Sequence, residues 1–505
     1  MARIRRVLIA NRGEIAVRVL RTLRELDIAS IAVYSEPDRA ALHVLLADEA
    51  YPIGPGPAAE SYLNQTKILE VAREARADAI HPGYGFFAEN AGFARACAEA
   101  GIVFIGPRPE TIATLGDKLA AREVARAAGV PLVPGTPGPV ASLDLARDAA
   151  KALGYPLMLK AAAGGGGKGL RIVRDDAELQ TAWSLTRGEA RSAFGDDQVY
   201  LERAIERPRH VEAQILADAS GRVAFLGERE CSVQRRHQKL LEETPSPGFT
   251  PDQRGASRTP RAASPPTSAT STPEPSSSSS TRTAAFYFLE VNTRLQVEHP
   301  VTEMVTRLDL VAEQIRIAEG DSLSFDAPPT PNGWSMEARV IAEDPLSGFI
   351  PSTGRIERLR LPSGPGVRND AGIYRGYEIP VYYDSLLSKL VVWAPDRERA
   401  RRRLARALDE FVLEGVHNNL AFHRWLVTHP EFAAGHLSTK FLDDHFKPTS
   451  LAPSADALDV AVVAAALHAR EERSRVTLPV PPNGRAERSA WRWADRRRAG
   501  GGARR

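Results

Sequence analysis

Cysteine is nearly absent from this chain of 505 residues: two occur, Cys97 and Cys231, far apart. Two such thiols make neither a disulfide framework nor a four-ligand zinc site, and a reducing cytoplasm fits them. No run of about 18 apolar residues exists, so no membrane-spanning helix is expected. The opening MARIRRVLIANRGE carries a basic pair, but its apolar run (VLIA) is too short for a signal-peptide core and charge follows at once. Excess charge of one sign is also missing. Lys plus Arg number 66 against 63 Asp plus Glu, a net charge of +3, which gives no reason to expect nucleic acid or a membrane surface as partner. Internal repeats are absent. Lysine is scarce beside arginine, the mark of a GC-rich gene. What is present is 43% hydrophobic residues, over a length that suits several packed domains.

Residues 1–115 alternate strands and helices: Val7–Ala10, then a helix over Gly13–Leu26, a strand at Ile28–Tyr34, a helix over Thr66–Ala75, a strand at Ala79–Ile80, a helix over Asn90–Ala100 and a strand at Val103–Ile105. This rhythm predicts a parallel sheet with helices on both faces. G-x-G-x-x-G is missing after the first strand, where Asn11-Arg12-Gly13-Glu14 stands, so NAD is not expected. Residues 116–330 form a second domain, with a helix at Asp117–Ala128, a Pro- and Gly-rich linker at Pro131–Pro139, a strand at Leu157–Lys160, strand-like sequence over 199–245, a strand at Phe286–Val291 and a helix ending near Gly320. Residues 331–445 form a strand-rich third domain with a helix at Arg397–Glu410. Residues 446–505 read as a tail, Arg-, Ala- and Gly-rich from about Asn483, whose end cannot form a core. The fold class is α/β together with α+β.

Four groups of residues carry chemistry. In Gly164-Gly165-Gly166-Gly167-Lys168-Gly169, side-chain-free backbone can approach phosphates and Lys168 adds a cation; a flexible glycine turn is the plainer reading. It is not a P-loop, because Gly169 follows the lysine. Lys118 and Lys160 each precede a helix or loop; Lys160 ends an apolar strand that aims its ammonium, although solvated lysines are the usual case. The segments Arg209–Gln214 and Glu228–Lys239 place polar residues on alternate strand positions, which suits either a cleft for a phosphorylated substrate or a solvated sheet face. The fourth group is the strongest: Phe288 to His299 delivers Glu290, Asn292, Arg294 and Glu298 within nine residues. Carboxylate and amide oxygens suit magnesium, an arginine can clamp an oxyanion, and a second carboxylate can act as a base; a structural ion-pair cluster is the alternative.

Together these motifs resemble biotin carboxylase, the ATP-grasp component of acetyl-CoA, propionyl-CoA and pyruvate carboxylases. The resemblance is carried by Ile9–Ala16, His81-Pro82-Gly83-Tyr84-Gly85-Phe86, Lys160–Gly169, Arg209–Glu212, Gln234–Lys239, Glu290–Thr302, Glu337-Ala338-Arg339 and Tyr383–Lys389. It covers about 1–250 and 286–445, and its ordered motifs are far more specific than a lone glycine loop. It implies a doubly wound N-terminal domain, an ATP-grasp domain whose mobile lid spans about 131–204, and a strand-rich C-terminal domain. By motif, Lys118, Lys160, Glu202, His210, Gln234 and His237 would hold ATP, with Gly165, Gly166, Gly167 and Lys168 on the lid. Glu290, with Asn292 beside it, would hold Mg²⁺ or Mn²⁺. Lys239, Arg294 and the Val297 backbone would hold bicarbonate, Glu298 would deprotonate it, and Arg339 would stabilise the enolate-like form of biotin. The resemblance further implies a cytoplasmic homodimer in fatty acid biosynthesis, a biotin carboxyl carrier, and a partner carboxyltransferase that chooses the acyl-CoA or keto acid. No Met-Lys-Met biotin attachment motif occurs, so the chain either uses a separate carrier or stops short of one.

One stretch departs from the family. Pro251–Ala285 contains no Val, Ile, Leu, Met, Phe, Tyr or Trp, holds five consecutive serines at Ser276–Ser280, and has Glu274 as its only acidic residue besides Asp252. Alone it reads as a linker. The resemblance stops near Thr250 and resumes at Phe286, where the family has a helix and a Gly-rich strand bearing a further metal glutamate. The length between is nearly kept, so this reads as replacement by compensating frameshifts. The expected consequences are weak magnesium binding and lost core burial. The alternative function is therefore an impaired copy that folds partly and keeps only dimer and carrier binding. Another ATP-grasp ligase, of the carbamoyl-phosphate or purine type, is the second enzyme reading; the motifs at Gln234–Lys239 and Glu290–Glu298 argue against it.

Overall fold

Val7, Leu8 and Ile9 are fully buried because the first strand, β1 (Arg6–Ile9), lies at the centre of a parallel sheet with helices over both faces. In this computed structural model residues 3–162, 169–249, 268–274, 285–452 and 455–474 are described. The sheet order is β3 (Glu49–Gly54), β2 (Ala29–Ser35), β1, β4 (Ala79–His81), β5 (Val103–Phe104), all parallel. The doubly wound expectation holds. Strand β3 and the short helix Leu42–Leu46 were not foreseen, because β3 is an edge strand with Pro52 exposed and Ile53 its one buried residue.

The three-stranded sheet β7 (Leu170–Val173), β6 (Leu157–Ala161), β8 (Val199–Arg203) is covered by helices Leu143–Leu153 and Asp176–Phe194. Gly165, Gly166, Gly167 and Lys168 lie outside the described residues.

The site rests on an eight-stranded antiparallel sheet. Its order is β13 (Ala285–Val291), β12 (Ser268–Glu274), β9 (Val211–Ala217), β10 (Val223–Arg235), β11 (Gln238–Thr244), β14 (Trp334–Ile341), then Leu386–Ala394 and Val367–Ala371. Strand alternation divides β14 cleanly. Met336, Ala338 and Val340 join an apolar core with Leu404, Leu408 and Phe422, whereas Glu337 and Arg339, also on β14, belong to the opposite, charged face. Both faces are buried, so a β14 charge has to find partners rather than water. Phe422 is fully buried, its ring centroid 5.1 Å from Phe446 and 5.5 Å from Phe349. Phe422→Ala is expected to destabilise this unit by about 3–5 kcal/mol, through lost burial plus a cavity; urea unfolding of the variant against the parent measures it.

Three expectations need correction. The helix ending near Gly320 is two helices, His299–Thr306 and Leu310–Ala318, because Arg307 turns left-handed (φ 62°) and Asp309 caps the second. Within the stretch read as a linker that had lost its strand, Ser268–Glu274 form β12, paired on both edges to β9 and β13. Backbone hydrogen bonding asks nothing of side-chain hydrophobicity, so composition could not reveal it. Residues 250–267 and 275–284, on which the frameshift reading also rests, lie outside the described residues. The region read as a tail contains the helix Ala455–Ser474, rich in Ala, Val and Leu and free of Gly and Pro, which belongs to a second unit beginning after Leu451. Its Arg-rich end from about Asn483 is likewise outside the described residues. No helix among the described residues is long and apolar enough to cross a membrane.

Candidate active site

Register places the first acids. Glu290 of β13 and Glu212 of β9 both stand opposite Thr270 of β12, and Arg229 of β10 stands opposite Glu212. One row across four strands therefore brings Glu290, Glu212 and Arg229 to the same face. Glu274 is registered opposite Ala285, at the far end of β13 from Glu290.

Lys118 opens the helix Lys118–Ala127, whose N-cap Asp117 accepts from the Ala120 amide. Burial lowers the Lys118 ammonium pKa, against the pull of Glu290. Burial, helped by Lys118 and Arg122, brings Lys160 down to about 8, again with Glu290 opposing. Lys160 and Arg122 both bind the buried Glu202 carboxylate. Thus Lys118, Lys160, Glu202 and Glu290 form one cluster, and Arg122 is a member that sequence reasoning missed. Glu290 is a carboxylate oxygen donor close enough to act on Lys118 and Lys160. With the Asn292 amide oxygen it fits a magnesium ion, which takes one or two protein oxygens and fills its other positions with phosphate and water.

Glu298 is the N-cap residue of the helix His299–Thr306, yet its side chain does not cap. It turns instead to Lys239 and to Arg339, whose Nη2 donates to Oε2 at 2.9 Å. Lys239 also binds Glu212, and Arg339 Nε donates to Glu242 Oε1 at 2.6 Å. Two cations thus meet one carboxylate. Arg339 is fixed from behind: Asn419 Nδ2 and His423 Nε2 both lie 2.8 Å from its carbonyl oxygen. Burial brings His423 down to about 4, so the ring that holds this contact is neutral at pH 7.

Arg294 donates through Nε to Glu89 at 2.8 Å and through Nη2 to Asn292 Oδ1 at 3.2 Å. The Val297 carbonyl accepts from the fully buried Lys389 at 3.0 Å, and Lys389 lies 3.2 Å from Glu14. His210 Nε2 lies 3.3 Å from Glu212, and Gln234 is buried on β10. His237 stands exposed in the two-residue turn Arg236–His237, both left-handed (φ 48° and 67°) without a glycine. That conformation costs roughly 1–2 kcal/mol per residue, a strain of the kind that collects at functional sites. Tyr84, Gln238, Arg294, Val297, Arg339 and Tyr382 line a cavity of about 480 Å³. The chemistry available is a carboxylate base between two cations, a fixed arginine at the wall of a cavity, and cations gathered near a metal-competent glutamate.

Sequence reasoning gave no role to Arg229, Glu242, Gln296, Lys389, Glu14 and Glu89. The strand period could have paired Arg229 and Glu242 with the site face, and Glu14 and Lys389 fall within motifs of the family resemblance; no local signal marks Glu89.

Comparison with known proteins matches the "Biotin carboxylase, N-terminal domain" family over 3–112, the "Carbamoyl-phosphate synthase L chain, ATP binding domain" family over 117–325 and the "Biotin carboxylase C-terminal domain" family over 337–444. A biotin carboxylase of Nostoc is 50% identical over 443 residues, 87% of this chain and 98% of that protein. The propionyl-CoA carboxylase alpha chain of Ruegeria pomeroyi is 42% identical over 502 residues, 94% of this chain and 73% of that protein. The biotin carboxylase domain dimer of Hydrogenobacter thermophilus 2-oxoglutarate carboxylase, solved with MgADP, ADP and bicarbonate, superposes with a TM-score of 0.84 at 44% identity, over 90% of this chain and 100% of that one.

Proposed function

The chain belongs to the biotin carboxylase family, and from that premise we propose how its residues carry out ATP-dependent carboxylation of biotin with bicarbonate. The observation that carries the reading is Glu298 held between Lys239 and Arg339 beside the cavity. Lys239, Arg294 and the Val297 amide hold bicarbonate, and Glu298 takes its proton. The resulting carbonate oxygen attacks the γ-phosphorus of ATP and ADP leaves. Lys118, Lys160, His210, Gln234 and His237 hold ATP, together with Glu202 and the lid residues Gly165, Gly166, Gly167 and Lys168, and their cations offset the charge spread over the transferring group. Glu290 and Asn292 would hold magnesium or manganese, which when bound supplies further charge neutralisation at the phosphates. The carboxyphosphate so formed splits into CO₂ and phosphate. Arg339 steadies the negative oxygen of the biotin ureido group as its nitrogen gives its proton to the released phosphate and takes up CO₂, and arginine stays cationic at any working pH.

The same reading divides the chain into an N-terminal domain at 1–115, an ATP-grasp domain at 116–330 with its lid at about 131–204, a C-terminal domain at 331–445 and a further region at 446–505; the spans of the three matching families support it. A biotin carrier, a carboxyltransferase subunit and a second copy of this chain are the proposed partners, supported by a relative named as an alpha chain and by the dimer of the 2-oxoglutarate carboxylase domain. Two free, buried cysteines favour the cytoplasm.

The test is ATP hydrolysis by the purified chain. Turnover is expected to require bicarbonate and to rise with biotin, and EDTA is expected to bring it to background by removing the metal that neutralises the phosphates. ATP turnover indifferent to biotin and bicarbonate overturns the reading. The impaired-copy alternative gains nothing from the geometry, which keeps Lys239, Glu298 and Arg339 in contact.

A further inference from the structure

Six charges alternate without a break across the site: Glu242, Arg339, Glu298, Lys239, Glu212, Arg229. Arg229 ends the chain. It is fully buried, and its guanidinium is taken up by protein partners. Through them it ties together four elements. Nη1 donates to Gln214 Oε1 of β9 at 2.6 Å and to Thr302 Oγ1 of the helix His299–Thr306 at 3.0 Å. Nη2 donates to Glu212 Oε2 at 3.1 Å and to Gln296, next to Val297.

We propose that Arg229 is a positioning residue for bicarbonate: by holding one oxygen of Glu212 it shares the carboxylate charge that Lys239 also meets, so that Lys239 keeps charge for the anion, and by holding Gln296 it seats the loop that presents the Val297 amide. The inference rests on the function proposed above. Glu212 is a buried carboxylate whose other oxygen meets Lys239, Gln296 Nε2 at 3.0 Å and His210 at 3.3 Å, with Cys231 and Glu298 close by. Burial works against its charge, yet Lys239, His210 and Arg229 hold it well below the usual carboxylate range. With Arg229 gone, Lys239 is the remaining full cation on a buried charge, and its existing contact with Glu212 tightens at the expense of a substrate anion. Lysine cannot fully replace the arginine, because a compact ammonium does not span two pairs of acceptors in a planar fork.

The experiment uses the full chain with free biotin and varies bicarbonate and ATP separately, in the parent and in Arg229→Met, Arg229→Lys, Glu212→Gln and the Arg229→Met/Glu212→Gln pair. The expected result for Arg229→Met is a KM for bicarbonate raised on the order of tenfold or more, with the KM for ATP within about twofold of the parent. Arg229→Lys is expected to fall between, and the pair to be no worse than Arg229→Met alone, because the uncompensated carboxylate has been removed with its partner. Equal rises in both KM values, or fully additive losses in the pair, mean a general structural role and overturn the proposal. If Arg229→Met does not fold, the split between the two KM values in Arg229→Lys decides by the same criterion. An active parent with an unchanged bicarbonate KM in the variants overturns this inference alone; a parent without biotin-dependent turnover overturns the proposed function, and this inference with it.

Discussion

Glu298→Gln is expected to lower biotin-dependent ATP turnover by about 10²–10⁴-fold while ATP binding survives, the range that loss of a general base produces. The substitution keeps the size and the hydrogen-bonding reach of the side chain, so the N-cap position and the helix His299–Thr306 stay as they are. What goes is the charge between Lys239 and Arg339. Lys239 and Arg339 then keep only Glu212 and Glu242 as their counter-ions, and the amide accepts no proton from bicarbonate. The measurement is steady-state ATP hydrolysis with and without biotin, beside a direct titration of ATP. A variant within about tenfold of the parent would show that the bicarbonate proton leaves by another route.

Arg339→Met should act later in the reaction. It removes the cation proposed to meet the biotin oxygen, and a loss of about 10²–10³-fold in biotin-dependent turnover is expected, as for removal of one donor to a developing oxyanion. Bicarbonate-dependent ATP hydrolysis without biotin should outlast this change, because Glu298 and Lys239 remain in contact. The same background activity should vanish in Glu298→Gln. That contrast separates the base from the oxyanion partner, and loss of the background in both variants would falsify the division of roles. The Asn419 and His423 contacts are to the Arg339 backbone, so they persist in the variant and limit collateral disorder.

How much of this was legible beforehand depended on the kind of interaction. Strand β1, the helix Gly13–Glu25 and strand β13 follow from local apolar runs and periodicity, and they lie within a residue or two of the sequence expectation. The span from Glu290 to Glu298 announced itself because four chemically capable side chains fall within nine residues. Glu89 on Arg294, Glu14 on Lys389 and Arg122 on Glu202 were invisible, since each contact joins positions 80 or more residues apart. Nothing in a local window couples such positions. Strand β12 shows the same limit from the other side, for a segment with no large apolar side chain is recruited by two waiting edges of backbone donors and acceptors.

The sequence by itself determined the secondary elements of the parallel domain other than β3 and the helix Leu42–Leu46, the strand alternation that gives β14 one apolar and one charged face, and the run of polar side chains from Glu290 to Glu298. Only the tertiary structure decided that Glu298 turns from its helix to meet Lys239 and Arg339, that Arg229 completes the line of alternating charge, and that a cavity opens beside them. The physical reason is that periodicity is a property of neighbours along the chain, whereas a buried charge is tolerated only where distant strands and helices bring it an opposite one.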